Sequence, residues 1–180
     1  MSSVRIATVV VLISLIGGMA AAQNETKIGA WRYLETHSTG STAVGYRALA
    51  VSAANKNASF GFACDEPGPV SIYAVVIPGE ALGLSTANAA KRALTFQVDN
   101  RPSVTKDWFY PDESKGENFV SMGNGIDTFD VLNAVRKGQK TVKVKVAKAG
   151  GKTLEFTFDI SGTDAALAKL IADCKSADYK

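Results

Sequence analysis

Every even position of Thr153-Leu154-Glu155-Phe156-Thr157-Phe158-Asp159-Ile160 is apolar and every odd one is polar. Side chains along a strand alternate between faces, so this pattern is satisfied by a strand with one buried and one wet face. Thr141 to Val146 repeats it, with Val142, Val144 and Val146 inward and Lys143 and Lys145 outward. One register keeps every apolar residue on one face: Val146 opposite Leu154, Val144 opposite Phe156 and Val142 opposite Phe158. The loop is then Ala149-Gly150-Gly151, and Lys145 lies across from Glu155. The lysines therefore read as a solvated face, not as a binding patch.

Further strands are expected at Trp31 to Thr36, Thr42 to Val51, Ser59 to Cys64, Val70 to Ile77 and Leu94 to Val98, with shorter pieces at Asp107 to Tyr110 and Asn118 to Met122. Turn signals separate them: Asn55-Lys56-Asn57, Pro67-Gly68-Pro69, Pro78-Gly79 and Asn100-Arg101-Pro102. Glu80 to Arg92 reads as a loop with one helical turn. Asp127 is expected to cap a helix through Lys137, with Phe129, Leu132 and Val135 on one side and Gly138 as the stop. A second helix follows Ser161 and Asp164, which resemble a capping box, and carries Leu167, Leu170, Ile171 and Cys174 on one stripe. The fold class is thus mainly β: an antiparallel β-sandwich or curved barrel-like sheet with two short helices, one at the C-terminus.

The first residues read as an export signal: Arg5, an apolar run from Ile6 to Ile16 too short to span a membrane, and an A-x-A site at Ala20-Ala21-Ala22. Residues 1–22 are then a signal peptide. Residues 23–180 form a single exported β-rich domain of about 158 residues, enough for a full core. The formal charge of the chain is +3, with both signs spread along it. No basic stripe suggests nucleic acid or anionic lipid, and no stable membrane span is expected once the signal is removed. Cys64 and Cys174 are the two cysteines. An oxidising compartment favours their pairing, which would close a loop worth on the order of 4 to 5 kcal/mol in the chain-entropy model. Two free buried thiols are the alternative.

Catalytic chemistry finds little to stand on. The single histidine, His37, lies in a polar stretch with no activated-serine context such as G-x-S-x-G, so a loop histidine is the expectation. No set of residues has metal-ligand spacing, and no glycine-rich phosphate loop is present. We therefore expect no catalytic residues, no metal and no cofactor. Asp112, Glu113 and Glu117 around Lys115 read as a solvated acidic loop. Asn24-Glu25-Thr26 and Asn57-Ala58-Ser59 match the glycosylation acceptor.

One constellation stands out as an interaction candidate: Asp99 and Arg101 at a strand end before Pro102, then Trp108, Phe109 and Tyr110. Three consecutive aromatics cannot all point inward from an extended segment, and an outward aromatic is the kind of anchor interfaces use. The alternative is a strand end with Trp108 and Tyr110 in the core and Phe109 under a loop.

An early Trp31, Cys64 at a strand end, Leu94-Thr95-Phe96-Gln97-Val98-Asp99 with Pro102 and Trp108, and the closing FDISGTDAALAKLIADC together resemble two related groups of small exported bacterial proteins. These are the type VI secretion-associated VasI-like proteins and the invasion-associated locus B-like proteins. The resemblance covers roughly Trp31 to Cys174. It implies a periplasmic or secreted accessory protein that is not an enzyme and acts by binding an envelope or secreted protein partner. The alternative is a small-ligand-binding periplasmic protein with a pocket between the sheet and the helix Asp127 to Lys137.

Overall fold

The structure, a computed structural model, describes residues 24–37, 44–83, 91–109, 119–123 and 125–176. The expected signal peptide, Tyr110 and the acidic cluster around Lys115 lie outside them. Among the described residues ten strands form one antiparallel sheet: β1 (Asn24–Ile28), β2 (Trp31–His37), β3 (Val44–Val51), β4 (Ser59–Cys64), β5 (Tyr73–Ile77), β6 (Lys91–Val98), β7 (Val104–Phe109), β8 (Val120–Met122), β9 (Thr141–Lys148) and β10 (Lys152–Asp159). Their order across the sheet is β1-β2-β3-β4-β5-β8-β7-β6-β9-β10. Two helices complete the fold, α1 (Ile126–Arg136) and α2 (Thr163–Asp173).

The sheet is open, with β1 and β10 as its edges, but it curls back on itself. Ser52, just past β3, bridges Phe158 of β10; the Phe60 and Phe158 rings lie 5.8 Å apart; and the Trp31 indole donates to the Ile160 carbonyl at 3.4 Å. Among the described residues the short β8 is held to β7 through one residue pair, Phe109 and Ser121. One core fills the interior, with Trp31, Phe60, Phe62, Trp108 and Phe158 fully buried.

The β9–β10 hairpin has the expected register, including Val144 opposite Phe156 and Lys145 opposite Glu155. The latter pair forms a surface ion bridge of 3.1 Å. A short 3-10 turn at Ala149–Gly151 closes the loop. Strand β1 was not expected. It is a largely exposed edge without apolar alternation, and its partner β2 holds it through full-length pairing. Strand β6 starts at Lys91, earlier than expected, and β5 starts later, at Tyr73.

Both helix caps differ from expectation. Gly125 precedes α1, so Asp127 lies inside the first turn, where the partial positive charge of the helix start favours it. There it receives Lys106 at 2.6 Å. Gly162, with φ 82°, precedes α2, and no side chain caps that helix. The Ser161 amide instead donates to Asp159 Oδ1 at 2.8 Å, so no capping box forms between Ser161 and Asp164. The buried stripe of α2 does form, through Ala166, Leu167, Leu170 and Cys174.

Cys64 and Cys174 are bonded as a disulfide, with their Cα atoms 6.2 Å apart. It ties the end of α2 to the end of β4. Two hydrogen bonds reinforce the tie: the Gly68 amide to the Cys174 carbonyl at 2.7 Å, and the Tyr33 hydroxyl to Asp173 Oδ2 at 2.6 Å. Burial pushes the Tyr33 phenol up, and its hydrogen bond to Asp173 adds to that. Desolvation raises Asp173, but hydrogen bonds from Lys169 and Tyr33 outweigh it and hold the carboxyl below its ordinary value.

Candidate functional site

The two faces of the first half of the sheet are read directly from its register. One row running Tyr33, Ala48, Phe62, Ala74 and Met122 faces the core. The opposite, outer face is not a plain solvated surface. Leu34, Leu49, Ala63 and Val75 are buried there as a second apolar cluster, with Tyr73 and Ile77 packed against it.

At the middle of this outer face the row across β3, β4 and β5 runs Leu49, Gly61, Val75. Gly61 offers no side chain, and a Cβ there would meet the Ala48 carbonyl oxygen at 1.9 Å, so no other residue fits. On this face lies a cavity of about 130 Å³ with a floor of Leu49, Ala63, Val75 and Ile77. Tyr73 and Phe119 form its walls, and Arg47 and Asp65 stand at its charged end.

The polar groups of that end are unevenly satisfied. The Tyr73 hydroxyl donates to Asp65 Oδ1 at 3.0 Å, and burial, followed by the Asp65 charge, pushes the phenol up. The Arg47 Nη2 stands 4.0 Å from Asp65, too long for a hydrogen bond. Arg47 Nε is shut from water and has no hydrogen-bond partner. A buried donor left unmade costs more than a typical hydrogen bond gains, so this atom is poised to accept a partner. Beyond Phe119 the cavity opens into a broader, shallow groove of about 550 Å³ bordered by Glu66, Ser71, Ser121 and Gly123.

Of the five residues singled out from the sequence, the four that the structure describes are not brought together. Asp99 and Arg101 sit at the turn end of the β6–β7 hairpin and Phe109 at the other end. Asp99 adopts a left-handed backbone, φ 51°, and its carboxylate accepts the amides of Gln139, Lys140 and Thr141, each at 2.9 Å. The Thr141 amide first, then those of Gln139 and Lys140, hold its pKa below the ordinary value against desolvation. Arg101 donates to the Lys137 carbonyl at 2.6 Å. These two residues fasten the β6–β7 turn to the segment between α1 and β9. Trp108 is fully buried with its indole N–H unpartnered, so it is a core residue and offers no surface anchor. Phe109 is half-buried on the outer face, paired with Ser121, and a Cβ at Gly123 would lie 3.4 Å from its ring. Of the described aromatics in the sequence's candidate, Phe109 is thus the one on the outer face, next to Ser121 and Gly123 of the groove.

His37 is exposed beside Glu35, 3.0 Å away. Among the described residues no group of three or more His, Cys, Asp or Glu could hold a metal ion, and no helix is long and apolar enough to cross a membrane. The face of α1 towards the core is filled by its own Phe129, Val131, Leu132 and Val135. The concavity lies on the far side of the sheet. Arg47, Tyr73 and Phe119 were missed by sequence reasoning. The available signal was in β4 and β5, where Phe60-Gly61-Phe62-Ala63 and Ala74-Val75-Val76-Ile77 are apolar without alternation. Such runs mark strands covered on both faces.

The fold is that of a β-rich domain built on one curled, open antiparallel sheet with a disulfide-pinned C-terminal helix. No family model matches the chain, and no curated protein matches it. Among solved structures, the crystal structure of invasion associated protein B from Bartonella henselae is similar, with 14% identity and a TM-score of 0.51 over 84% of this chain and 99% of that one. At that identity the likeness is one of fold. It falls on the invasion-associated side of the resemblance seen in the sequence; the VasI-like side gains no support from it.

Proposed function

We propose that this chain is an exported, non-enzymatic accessory protein of the bacterial cell envelope that works by binding another protein through the outer face of β3, β4 and β5. The observation that carries this reading is the apolar cavity on the face opposite the core, with the half-exposed aromatic Phe119 in its wall. An apolar pocket rimmed by polar groups is how interface anchors are received. Its size argues in the same direction. Small-molecule sites occupy roughly 300–1,000 Å³, whereas the cavity here is about 130 Å³, close to the roughly 150 Å³ that holds a benzene ring. It accommodates one side chain better than a metabolite. The disulfide and the fold likeness to invasion associated protein B are compatible with export.

The test is site-specific photo-cross-linking in intact cells that export the chain. A p-benzoylphenylalanine replaces Phe119 in one variant and Lys143, on the outer face of the other half of the sheet, in a second. One reproducible protein adduct from position 119 and none from 143 is expected. Equal adducts from both positions, or none from either, would overturn the reading.

A further inference from the structure

The cavity's charged end specifies what kind of residue the partner presents. Its floor is wholly aliphatic, from Leu49, Ala63, Val75 and Ile77, so the group that enters is apolar and about the size of a leucine or phenylalanine side chain. Two opposite charges stand at the mouth, and they are not equivalent. Asp65 is largely solvated, with 71% of its side chain exposed, and it already accepts the Tyr73 hydroxyl. Arg47 has no hydrogen bond to Asp65, and its Nε lacks both water and a protein acceptor. The unmet demand is therefore for an acceptor. A guanidinium meets a carboxylate best through two parallel N–H bonds, from Nε and one Nη. The Arg47 side chain is 40% exposed, so an incoming carboxylate meets its exposed part, and pairing with the buried Nε as well requires the side chain to turn outward.

We propose that the outer cavity receives one apolar side chain of the partner protein together with the carboxylate of an acidic residue next to it in the partner's sequence, held by Arg47. This rests on the protein-binding reading above and specifies the partner's chemistry. Asp65 and Glu66 along the adjoining groove disfavour a second acidic residue on that side, which gives the bound segment a direction.

The test uses the exported chain, labelled with nitrogen-15 and purified, and four capped tetrapeptides: acetyl-Gly-Phe-Glu-Gly-amide, its Gln and Lys analogues at the acidic position, and an Ala analogue at the aromatic one. Each is titrated to millimolar concentration while the backbone amide signals of Leu49, Gly61 and Val75 are followed. The Phe–Glu peptide is expected to shift these signals, the Gln analogue to bind about ten-fold more weakly, and the Ala and Lys analogues more weakly still. Arg47→Gln, or Arg47→Lys if the first variant fails to fold, is expected to erase or sharply reduce the Glu-over-Gln preference. Equal affinity for Glu and Gln, or a preference for Lys, overturns the acidic partner while leaving protein binding intact. No shift at the three amides with any peptide overturns the cavity as the anchor site. The cross-link from position 119 then reports separately on whether the face binds a protein at all.

Discussion

Gly29 and Gly162 meet backbone to backbone where the β1–β2 turn docks on the turn that enters α2. A Cβ at Gly29 would lie 2.5 Å from the Ser161 carbonyl oxygen, and one at Gly162 would lie 3.0 Å from the Gly29 Cα. The Ala30 amide donates to the same Ser161 carbonyl at 2.9 Å, locking the two turns together. Both glycines have positive φ, 60° and 82°. Gly29→Ala therefore combines a left-handed backbone penalty with a steric clash. It should destabilise the chain by about 2 to 4 kcal/mol, measured as a fall in the urea midpoint at unchanged slope. A loss below about 0.5 kcal/mol would show that the turns are not in contact.

The disulfide is the largest single constraint on the C-terminal helix. It spans 110 residues of sequence, and the chain-entropy model assigns such a loop about 4 to 5 kcal/mol. The double variant Cys64→Ala, Cys174→Ala should lose roughly 3 to 5 kcal/mol, with hydrogen exchange rising first in α2. If α2 amides stay as protected as those of β4 in the double variant, packing through Leu167 and Leu170 alone holds the helix.

Asp99 fastens the β6–β7 turn through the three amides its carboxylate accepts. Its lowered pKa means that the folded state favours the charged carboxylate. The resulting stabilisation is present above the ordinary aspartate pKa of about 3.9 and is lost as pH falls through the lower, folded value. Asp99→Asn keeps the left-handed backbone accessible but removes the charge. Its stability should fall by about 1 kcal/mol at pH 7, the size of a lost cap, and approach that of the unaltered chain near pH 2. Urea midpoints at the two pH values check this; a deficit that does not narrow in acid would assign the effect to geometry alone.

The Lys145–Glu155 bridge is exposed on both sides, at 52% and 50%, so its coupling should be small, about 0.2 to 0.8 kcal/mol in a double-mutant cycle, and weaker in high salt. Cross-strand neighbours couple; a zero or repulsive term at low salt would contradict the register.

The β9–β10 hairpin was legible because its information is local: two alternating strands, a glycine loop, and one register that buries every apolar side chain. The helix stripe of α2 was legible for the same reason. The α2 cap was not, because Gly162 packs against Gly29, and Ser161 gives its amide to Asp159 while its carbonyl takes Ala30. The anchoring of Asp99 was hidden for a similar reason. Asp99 looked available in sequence, but its three acceptor bonds go to amides forty or more residues away.

By itself, then, the sequence determined the strand alternation and the hairpin register, since side-chain period acts at short range, and it offered each cysteine one possible partner while leaving free thiols open. Only the tertiary structure decided that the sheet curls until Phe158 of β10 meets Phe60 of β4, that Trp108 goes inside, and that Leu49, Ala63, Val75 and Ile77 floor a cavity with Arg47 and Asp65 at its end. A cavity is made by residues on three strands that meet only when the chain is folded, and no periodicity along the chain records what is missing between them.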